Sequence, residues 1–234
     1  MDDTYMGEIK KWFNEERAGA VVKNLQKRNI NAHFVSTQQE ARKKILDMIP
    51  TGAVVSRGSS ITIDKLEIFP KLVKRNKNRI IDPYIKTSEG KPPSSEERWH
   101  VQREALLCDV FLTSTNAVTM DGKLVNTDGR GNRVAAMIFG PKKIIMVAGI
   151  NKIVKDENEA RERIHNVAAP MTSMRNYLRF NDQEIGNLPC VKTGQCVDCN
   201  NNFRGCNYTL IIEHVMILDK DRIHVVLVGE ELGL

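Results

Sequence analysis

Four cysteines lie close together near the carboxyl end of the sequence, at Cys190, Cys196, Cys199 and Cys206. Their spacing, C-x5-C-x2-C-x6-C, leaves short connecting loops, so the four thiols could meet at one centre with little loss of chain entropy. Zinc ribbons usually pair two C-x2-C knuckles, whereas this segment has one knuckle and a lone cysteine on each side. The spacing therefore predicts a [4Fe-4S] cluster, which tolerates unequal spacing, with a structural zinc ion as the alternative.

The segment that carries these cysteines differs in composition from the rest of the chain. Residues 181–208 contain four cysteines, six asparagines, three glycines and one proline, with few apolar residues to build a core. We interpret this segment as a metal-binding loop inserted before the last strands of a single α/β domain that spans residues 1–234. The fifth cysteine, Cys108, lies in an apolar run and is expected to be a buried thiol without a chemical role.

Two glycine-rich turns that contain arginine follow strand-like runs. Their residue types could bind an anionic ligand. The first is 57–60 (Arg-Gly-Ser-Ser) and the second is 128–133 (Asp-Gly-Arg-Gly-Asn-Arg). Glycine lets the backbone approach a ligand, a following helix presents free N–H groups, and arginine can bind a phosphate or carboxylate in a bidentate way. Taken singly, each could equally be an ordinary capped turn. The predicted ligand-binding residues are Arg57, Gly58, Ser59, Ser60, Asn116, Asp128, Gly129, Gly131, Asn132 and Arg133.

The amino-acid composition argues against a nucleic-acid-binding, a membrane-spanning or a secreted protein. The chain has 234 residues, 41% of them hydrophobic, and a net charge of +6 that arises from 35 basic residues interleaved with 29 acidic ones. This interleaving does not favour nucleic-acid binding. There is no apolar run long enough to span a membrane and no secretory signal at the acidic amino terminus, so we expect a cytoplasmic protein in a reducing compartment, where disulfides are rare.

Short apolar runs alternate with amphipathic segments from residue 6 to residue 180. This rhythm predicts an α/β fold with a mostly parallel sheet and helices on both faces. Asp121-Gly122 lies between two strand-like runs and predicts a local antiparallel hairpin with a type I′ turn, which needs positive φ at both residues. Ser94 and Glu97 predict a capping box after a Gly-, Pro- and Ser-rich loop at 87–95. In parallel folds the loops at the carboxyl ends of the strands meet, so the two arginine-bearing turns are expected at one edge.

Several longer motifs resemble the LUD (lactate-utilisation) domain family. They are 54–60 (VVSRGSS), 116–122 (NAVTMDG), 126–135 (NTDGRGNRVA), 139–143 (FGPKK) and 149–153 (GINKI), and the resemblance covers nearly the whole chain. It implies a fold akin to CoA transferases, ribose-phosphate isomerases and 5-formyltetrahydrofolate cyclo-ligases, whose strand-end loops bind phosphorylated or acyl-CoA ligands. It also implies a link to lactate oxidation, in which partner subunits carry iron–sulfur clusters. The chain resembles the stand-alone, cysteine-bearing branch of the family.

Three functional hypotheses follow. The first is an iron–sulfur protein, an oxidoreductase or electron-transfer component, that performs redox or Lewis-acid chemistry on a small anionic metabolite. The second is a non-redox binder or enzyme for a sugar phosphate, nucleotide or CoA-like ligand, with a structural zinc ion. The third is an assembly subunit that uses the cluster to dock onto a redox partner protein.

Overall fold

Strands and helices alternate along most of the chain in a computed structural model that describes residues 3–85, 90 and 92–234. The loop predicted at 87–95 lies in part outside these residues. The strands are β1 (Asn31–Val35), β2 (Val54–Arg57), β3 (Arg79–Ile81), β4 (Val110–Ser114), β5 (Ala117–Thr119), β6 (Leu124–Asp128), β7 (Lys143–Gly149), β8 (Ile153–Val154), β9 (Tyr208–Ile212) and β10 (Ile223–Val228). The α-helices are α1 (Asp3–Lys27), α2 (Gln38–Met48), α3 (Ile61–Lys65), α4 (Ile68–Arg75), α5 (Ser95–Glu104), α6 (Asn132–Ile138), α7 (Glu157–Arg163), α8 (Ala169–Phe180), α9 (Gln183–Gly186) and α10 (Pro189–Thr193).

Six strands form a parallel sheet in the order β1-β10-β7-β4-β2-β3. Strand β7 lies inside this sheet, and residues 144–148 are fully buried because both faces of the sheet are covered. One face packs against α1 and α6, and the other packs against α2, α3 and α4. The predicted α/β fold, with helices on both faces of a parallel sheet, is therefore confirmed.

The predicted hairpin forms, but it belongs to a second sheet. Strands β5 and β6 pair antiparallel within a four-stranded sheet of order β8-β5-β6-β9, and β9 pairs with β6 rather than with the last strand of the chain. The type I′ prediction is wrong, because Gly122 has a φ of +89° while Asp121 is not in the positive-φ region. Gly122 also packs against the backbone of α1, where a Cβ would lie 2.7 Å from the carbonyl carbon of Asn24.

Side-chain caps fix where several helices begin. The hydroxyl of Thr37 accepts a hydrogen bond from the backbone N–H of Glu40 at the start of α2. Ser94 and Glu97 form the predicted capping box at the start of α5, and the carboxylate of Asp156 caps α7. Each cap satisfies backbone donors that have no partner inside the helix, so local sequence is sufficient to set these boundaries.

Parallel strands bring three loops to one edge of the large sheet. β2, β4 and β7 are neighbours, with Arg57 beside Leu112 and Ser114 beside Val147, so their carboxyl ends lie together. The loops that leave these ends carry Ser59, Asn116 and Lys152. Within the described residues, no helix is long and apolar enough to cross a membrane.

Candidate functional site

A cavity of about 730 Å³ opens at this carboxyl edge. Its walls come from the loops after β2 and β4, the turn between β6 and α6, helix α8, and the segment before β9. Among the described residues that line it, six are cationic and two are acidic, so the electrostatic environment favours an anion. The cationic residues are Arg98, Arg130, Arg133, Lys152, Arg175 and Arg204, and the acidic residues are Asp128 and Asp182.

Most predicted ligand-binding residues reach the cavity wall. The structure places Ser59, Ser60, Asn116, Asp128, Gly129, Asn132 and Arg133 on its lining, whereas Arg57, Gly58 and Gly131 lie outside it. Both arginine-bearing turns therefore border one cavity, although the first follows β2 of the parallel sheet and the second follows β6, which pairs antiparallel in the second sheet.

Arg133 forms hydrogen bonds with residues at the carboxyl ends of β4 and β6, beside the cavity. Its Nη1 donates to the carbonyl of Ser114 at 2.9 Å and to Oδ1 of Asn126 at 2.8 Å. Its Nη2 donates to Oδ1 of Asn116 at 3.0 Å and to the carbonyl of Thr127 at 2.8 Å. Because the protein already uses these donors, Arg133 cannot offer the bidentate fork that the sequence predicted and serves mainly to position the loops.

Gly58 and Asp128 both help to fix the position of Arg133. A Cβ at Gly58 would lie 3.0 Å from Cδ of Arg133 and 3.2 Å from Oγ1 of Thr113, so glycine leaves space for the arginine stem. Oδ2 of Asp128 accepts hydrogen bonds from the backbone N–H groups of Arg133 and Val134 at 2.9 and 3.3 Å. The start of α6 is therefore occupied by the protein's own carboxylate, which corrects the expectation that its N–H groups are free for a ligand.

Arg57 is not one of the residues that line the cavity. Its Nε donates to Oδ1 of Asp82 at 2.9 Å, its Nη1 bonds to Asp64, and its guanidinium stacks 4.8 Å from the ring centre of Phe69. Burial by itself lowers the pKa of Arg57, but the two carboxylates raise it on balance. The predicted ligand-binding role of Arg57 therefore has no geometric support, because this side chain is already paired with two acids.

Arg175 contributes a cation that the sequence did not single out. It lies on α8, its Nη2 donates to Oγ of Ser59 at 3.0 Å, and its buried Nε has no hydrogen-bond partner among the described residues. Burial, followed by repulsion from Arg179, lowers the pKa of this guanidinium. Ser60 instead caps α3 by accepting from the N–H of Ile63. Nothing in the local sequence of α8 indicates this contact, because it depends on how the helix packs over the sheet edge.

Lys152 is the second residue that sequence reasoning missed. Its side chain is almost fully buried, and its Nζ donates to Oγ of Ser114 at 2.8 Å and to Oγ1 of Thr62 at 3.1 Å. Burial, with repulsion from Arg163 and Arg133, lowers the pKa of Lys152 to about 7. Its position directly after β7 was the available signal, because the predicted turn at 57–60 also leaves the carboxyl end of a strand of this parallel sheet.

The predicted metal ligands lie beside the cavity but are not gathered at one point. All four are free thiols, and Cys190 sits in α10 while the other three lie in irregular structure. Within the described parts of the chain, no group of three or more His, Cys, Asp or Glu side chains is arranged to hold a metal ion. The thiol chemistry suits iron or zinc, whereas the observed arrangement does not form a coordination site.

Three of these thiols lie near enough to one another to influence the pKa of Cys206. Burial raises the pKa of Cys206, Arg204 opposes this rise, and the thiols of Cys196 and Cys199 add to it. Arg204 also donates to the carbonyl of Cys199, and to that of Cys206 at 3.1 Å. One arginine thus organises the loop between the third and fourth cysteines.

The cysteine segment packs directly on the second arginine-bearing turn. The backbone N–H of Asn207 donates to the carbonyl of Asp128 at 2.9 Å, and its side-chain amide donates to that of Gly129 at 3.0 Å. A Cβ at Gly129 would lie 3.1 Å from Cα of Gly205, so this contact requires a residue without a side chain. Residues 202–205 and Asn207 consequently form part of the cavity wall.

Two solved structures and one family model are similar to this chain. One solved structure is that of a DUF162 family protein from Deinococcus radiodurans, with 15% identity, coverage of 92% of this chain and 98% of that chain, and a TM-score of 0.49. Another is eIF2B delta from Chaetomium thermophilum, with 15% identity, coverage of 53% and 50%, and a TM-score of 0.33. A search of curated proteins gives no match. The LUD domain model matches residues 19–228, and the chain therefore belongs to the LUD domain family.

Proposed function

We propose that this LUD domain protein binds a small anionic metabolite in the cavity at the carboxyl edge of its parallel sheet. The observation that carries the proposal is the imbalance of charge on the described part of the cavity wall, where five arginines, and Lys152 when it is protonated, face two carboxylates. Asp128 is already bonded to the start of α6, which leaves even less negative charge facing the interior. A carboxylate or phosphate would relieve the repulsion among these cations, so binding is favoured by the whole wall.

Arg175 is the side chain best placed to recognise the anion. Its Nη2 donates to Ser59 at 3.0 Å and to Oδ1 of the adjacent Asn176 at 3.4 Å, and it forms no ion pair with a described residue. By contrast, all four Nη hydrogens of Arg133 are bonded within the protein, and Arg204 forms an ion pair with Asp198 beside its bonds to backbone carbonyls. A charge-assisted hydrogen bond contributes about 1.5–3 kcal/mol, which corresponds to roughly a tenfold change in affinity or more.

Calorimetric titration with phosphate, lactate, pyruvate and CoA tests the proposal. We expect at least one of these anions to bind, with an affinity that falls as salt is raised and falls about tenfold or more in Arg175→Met. Arg161→Met is the matched control, because Arg161 is exposed on α7 and the substitution removes the same charge outside the cavity. Equal affinity in both variants, or no binding by any of the four anions, contradicts the proposal.

The metal centre is the second part of the proposed function. Four free thiols within one segment, three of them electrostatic neighbours, support a [4Fe-4S] cluster held by Cys190, Cys196, Cys199 and Cys206. Its formation requires the segment to close around the metal. When bound, such a cluster supplies electron transfer, or a Lewis-acid position if one iron stays open, and a redox partner protein would then exchange electrons with it. A zinc ion held by the same thiols is the alternative.

Metal content decides between these alternatives. Protein purified without oxygen is analysed for iron, sulfide and zinc, beside Cys199→Ser and the control Cys108→Ala, which removes a buried thiol outside the segment. About four irons and four sulfides per chain, lost in Cys199→Ser and kept in Cys108→Ala, is the expected result. About one zinc per chain would show instead that the four thiols hold a structural zinc ion. No metal in anaerobic protein contradicts both assignments.

A further inference from the structure

The amine of Lys152 occupies an unusual position for a lysine. The side chain is 4% exposed and follows the carboxyl end of β7 in a short 3₁₀ turn, Ile150–Lys152. Lysine is among the residues least often buried without a partner of opposite charge. Here Nζ contacts two hydroxyl groups, those of Ser114 and Thr62, and forms no ion pair with a carboxylate of the described residues.

The charged groups around Lys152 favour its neutral form. Arg163 approaches from α7 and Arg133 from α6, while the partners from β4 and α3 are the uncharged hydroxyls of Ser114 and Thr62. Together with burial, the arginines lower the pKa of Lys152 to about 7, so a large fraction of the amine carries a free lone pair near neutral pH. Two hydrogen bonds fix Nζ, and Lys152 is one of the residues that line the cavity.

We infer that Lys152 is a nucleophile that forms an imine with an aldehyde or ketone group of the anionic ligand. The inference rests on the proposed anion site, because the cationic wall would hold the acid group of the ligand while its carbonyl meets the amine. A desolvated lysine close to other cations is the arrangement that makes an amine nucleophilic at neutral pH. The ligand class is therefore a small oxo acid or a phosphorylated aldehyde or ketone.

The step requires no oxidant or reductant. The lone pair of neutral Nζ attacks the carbonyl carbon, and the carbonyl oxygen takes up a proton to give a carbinolamine. Loss of that hydroxyl with a second proton releases water and leaves a C=N double bond between the ligand and Nζ. The hydroxyl of Ser114, 2.8 Å from Nζ, is placed to relay the proton from nitrogen to oxygen.

Reductive trapping tests this inference. The full-length protein is incubated with pyruvate and cyanoborohydride, which converts an imine into a stable secondary amine, and labelled lysines are identified by peptide mass spectrometry. Lys142 is the internal control, since its side chain is exposed and its hydrogen bond to Asp109 raises its pKa. We expect labelling of Lys152 to exceed that of Lys142 by about tenfold or more, because a much larger fraction of its amine is neutral. Lys152→Met should lose this label, and Lys142→Met should keep it.

Phosphate binding, measured by calorimetry on the same protein, separates the two proposals because phosphate has no carbonyl group. If phosphate binds and Lys152 is labelled no faster than Lys142, the imine is refuted and the anion site remains. If none of phosphate, lactate, pyruvate and CoA binds and all lysines are labelled evenly, both are refuted. Selective labelling of Lys152 that phosphate suppresses supports both. The fold of Lys152→Met is checked by circular dichroism, and Lys152→Arg provides a second variant that keeps the charge but cannot form an imine.

Discussion

Replacing Lys152 with methionine should stabilise the protein at acidic pH, and this gain should shrink as the pH rises. The ordinary pKa of the amine is 10.5, and in the folded protein it is about 7. Each pH unit between these values corresponds to about 1.4 kcal/mol, so burying the protonated amine costs on the order of 5 kcal/mol below pH 7. Between the two pKa values the unfolded chain binds a proton that the folded protein lacks, so the stability of the wild type rises with pH.

The expected change in unfolding free energy with pH follows from the difference between the folded and unfolded pKa values of Lys152. Between about pH 6 and about pH 9 the cost of burying Lys152 falls by roughly 2–3 kcal/mol, and Lys152→Met removes that pH dependence. Loss of the amine leaves its two partners satisfied, since Thr62 can donate to Ser114 at 3.3 Å and Ser114 to the carbonyl of Thr115 at 3.1 Å. Methionine is also similar in length and flexible enough to fill the space.

Urea unfolding of the wild type and of Lys152→Met, at both pH values, measures the effect. The difference in unfolding free energy between the two proteins should change by roughly 2–3 kcal/mol from the lower to the higher pH, while other titrating groups cancel. Lys142→Met, at an exposed lysine, should show no such change. A pH-independent difference for Lys152→Met would refute the reasoning, because it would mean that Lys152 has the same pKa in the folded and unfolded protein.

Two further predictions concern packing beneath the cavity. Gly58→Ala should destabilise the protein by about 1–3 kcal/mol because its Cβ would press on an arginine stem, whereas Gly19→Ala, in an open part of α1, should be neutral or stabilising. Arg57→Met should cost about 3–5 kcal/mol because it leaves the buried carboxylate of Asp82 without its partner. Urea unfolding at neutral pH checks both, with Lys142→Met as an exposed ion-pair control for Arg57. Equal unfolding midpoints within either pair of variants would contradict the structural account.

Local sequence determined much of the architecture. The alternation of apolar strands and amphipathic helices predicted the parallel sheet with two covered faces, because each element carries its own periodicity. The capping box of Ser94 and Glu97 was readable because it is completed within three residues. Only the first arginine-bearing turn behaves as predicted from parallel strands, because the second leaves β6, which pairs antiparallel in the second sheet, and tertiary structure decided its place at the cavity.

Tertiary structure decided which polar groups remain available for a ligand. Arg57 and Arg133 occupy similar glycine-rich turns in the sequence. In the structure Arg57 pairs with Asp82 and Asp64, whereas Arg133 hydrogen-bonds to residues at the strand ends. The partners of both arginines lie up to 25 residues away, and the packing of helices and loops brings them into contact. The four cysteines make the same point, because close spacing permits a metal centre but does not fix where each thiol points.

The sequence by itself determined the elements, their caps and the edge at which the site forms. It could not indicate that Lys152 is buried beside two arginines with no ion pair to an acid of the described residues, or that Arg175 on α8 reaches Ser59. Hydrophobic periodicity reports only the neighbourhood of a residue along its own element. Charge balance, desolvation and hydrogen-bond saturation depend on side chains that are distant in sequence, and these quantities decide which residue can bind or react.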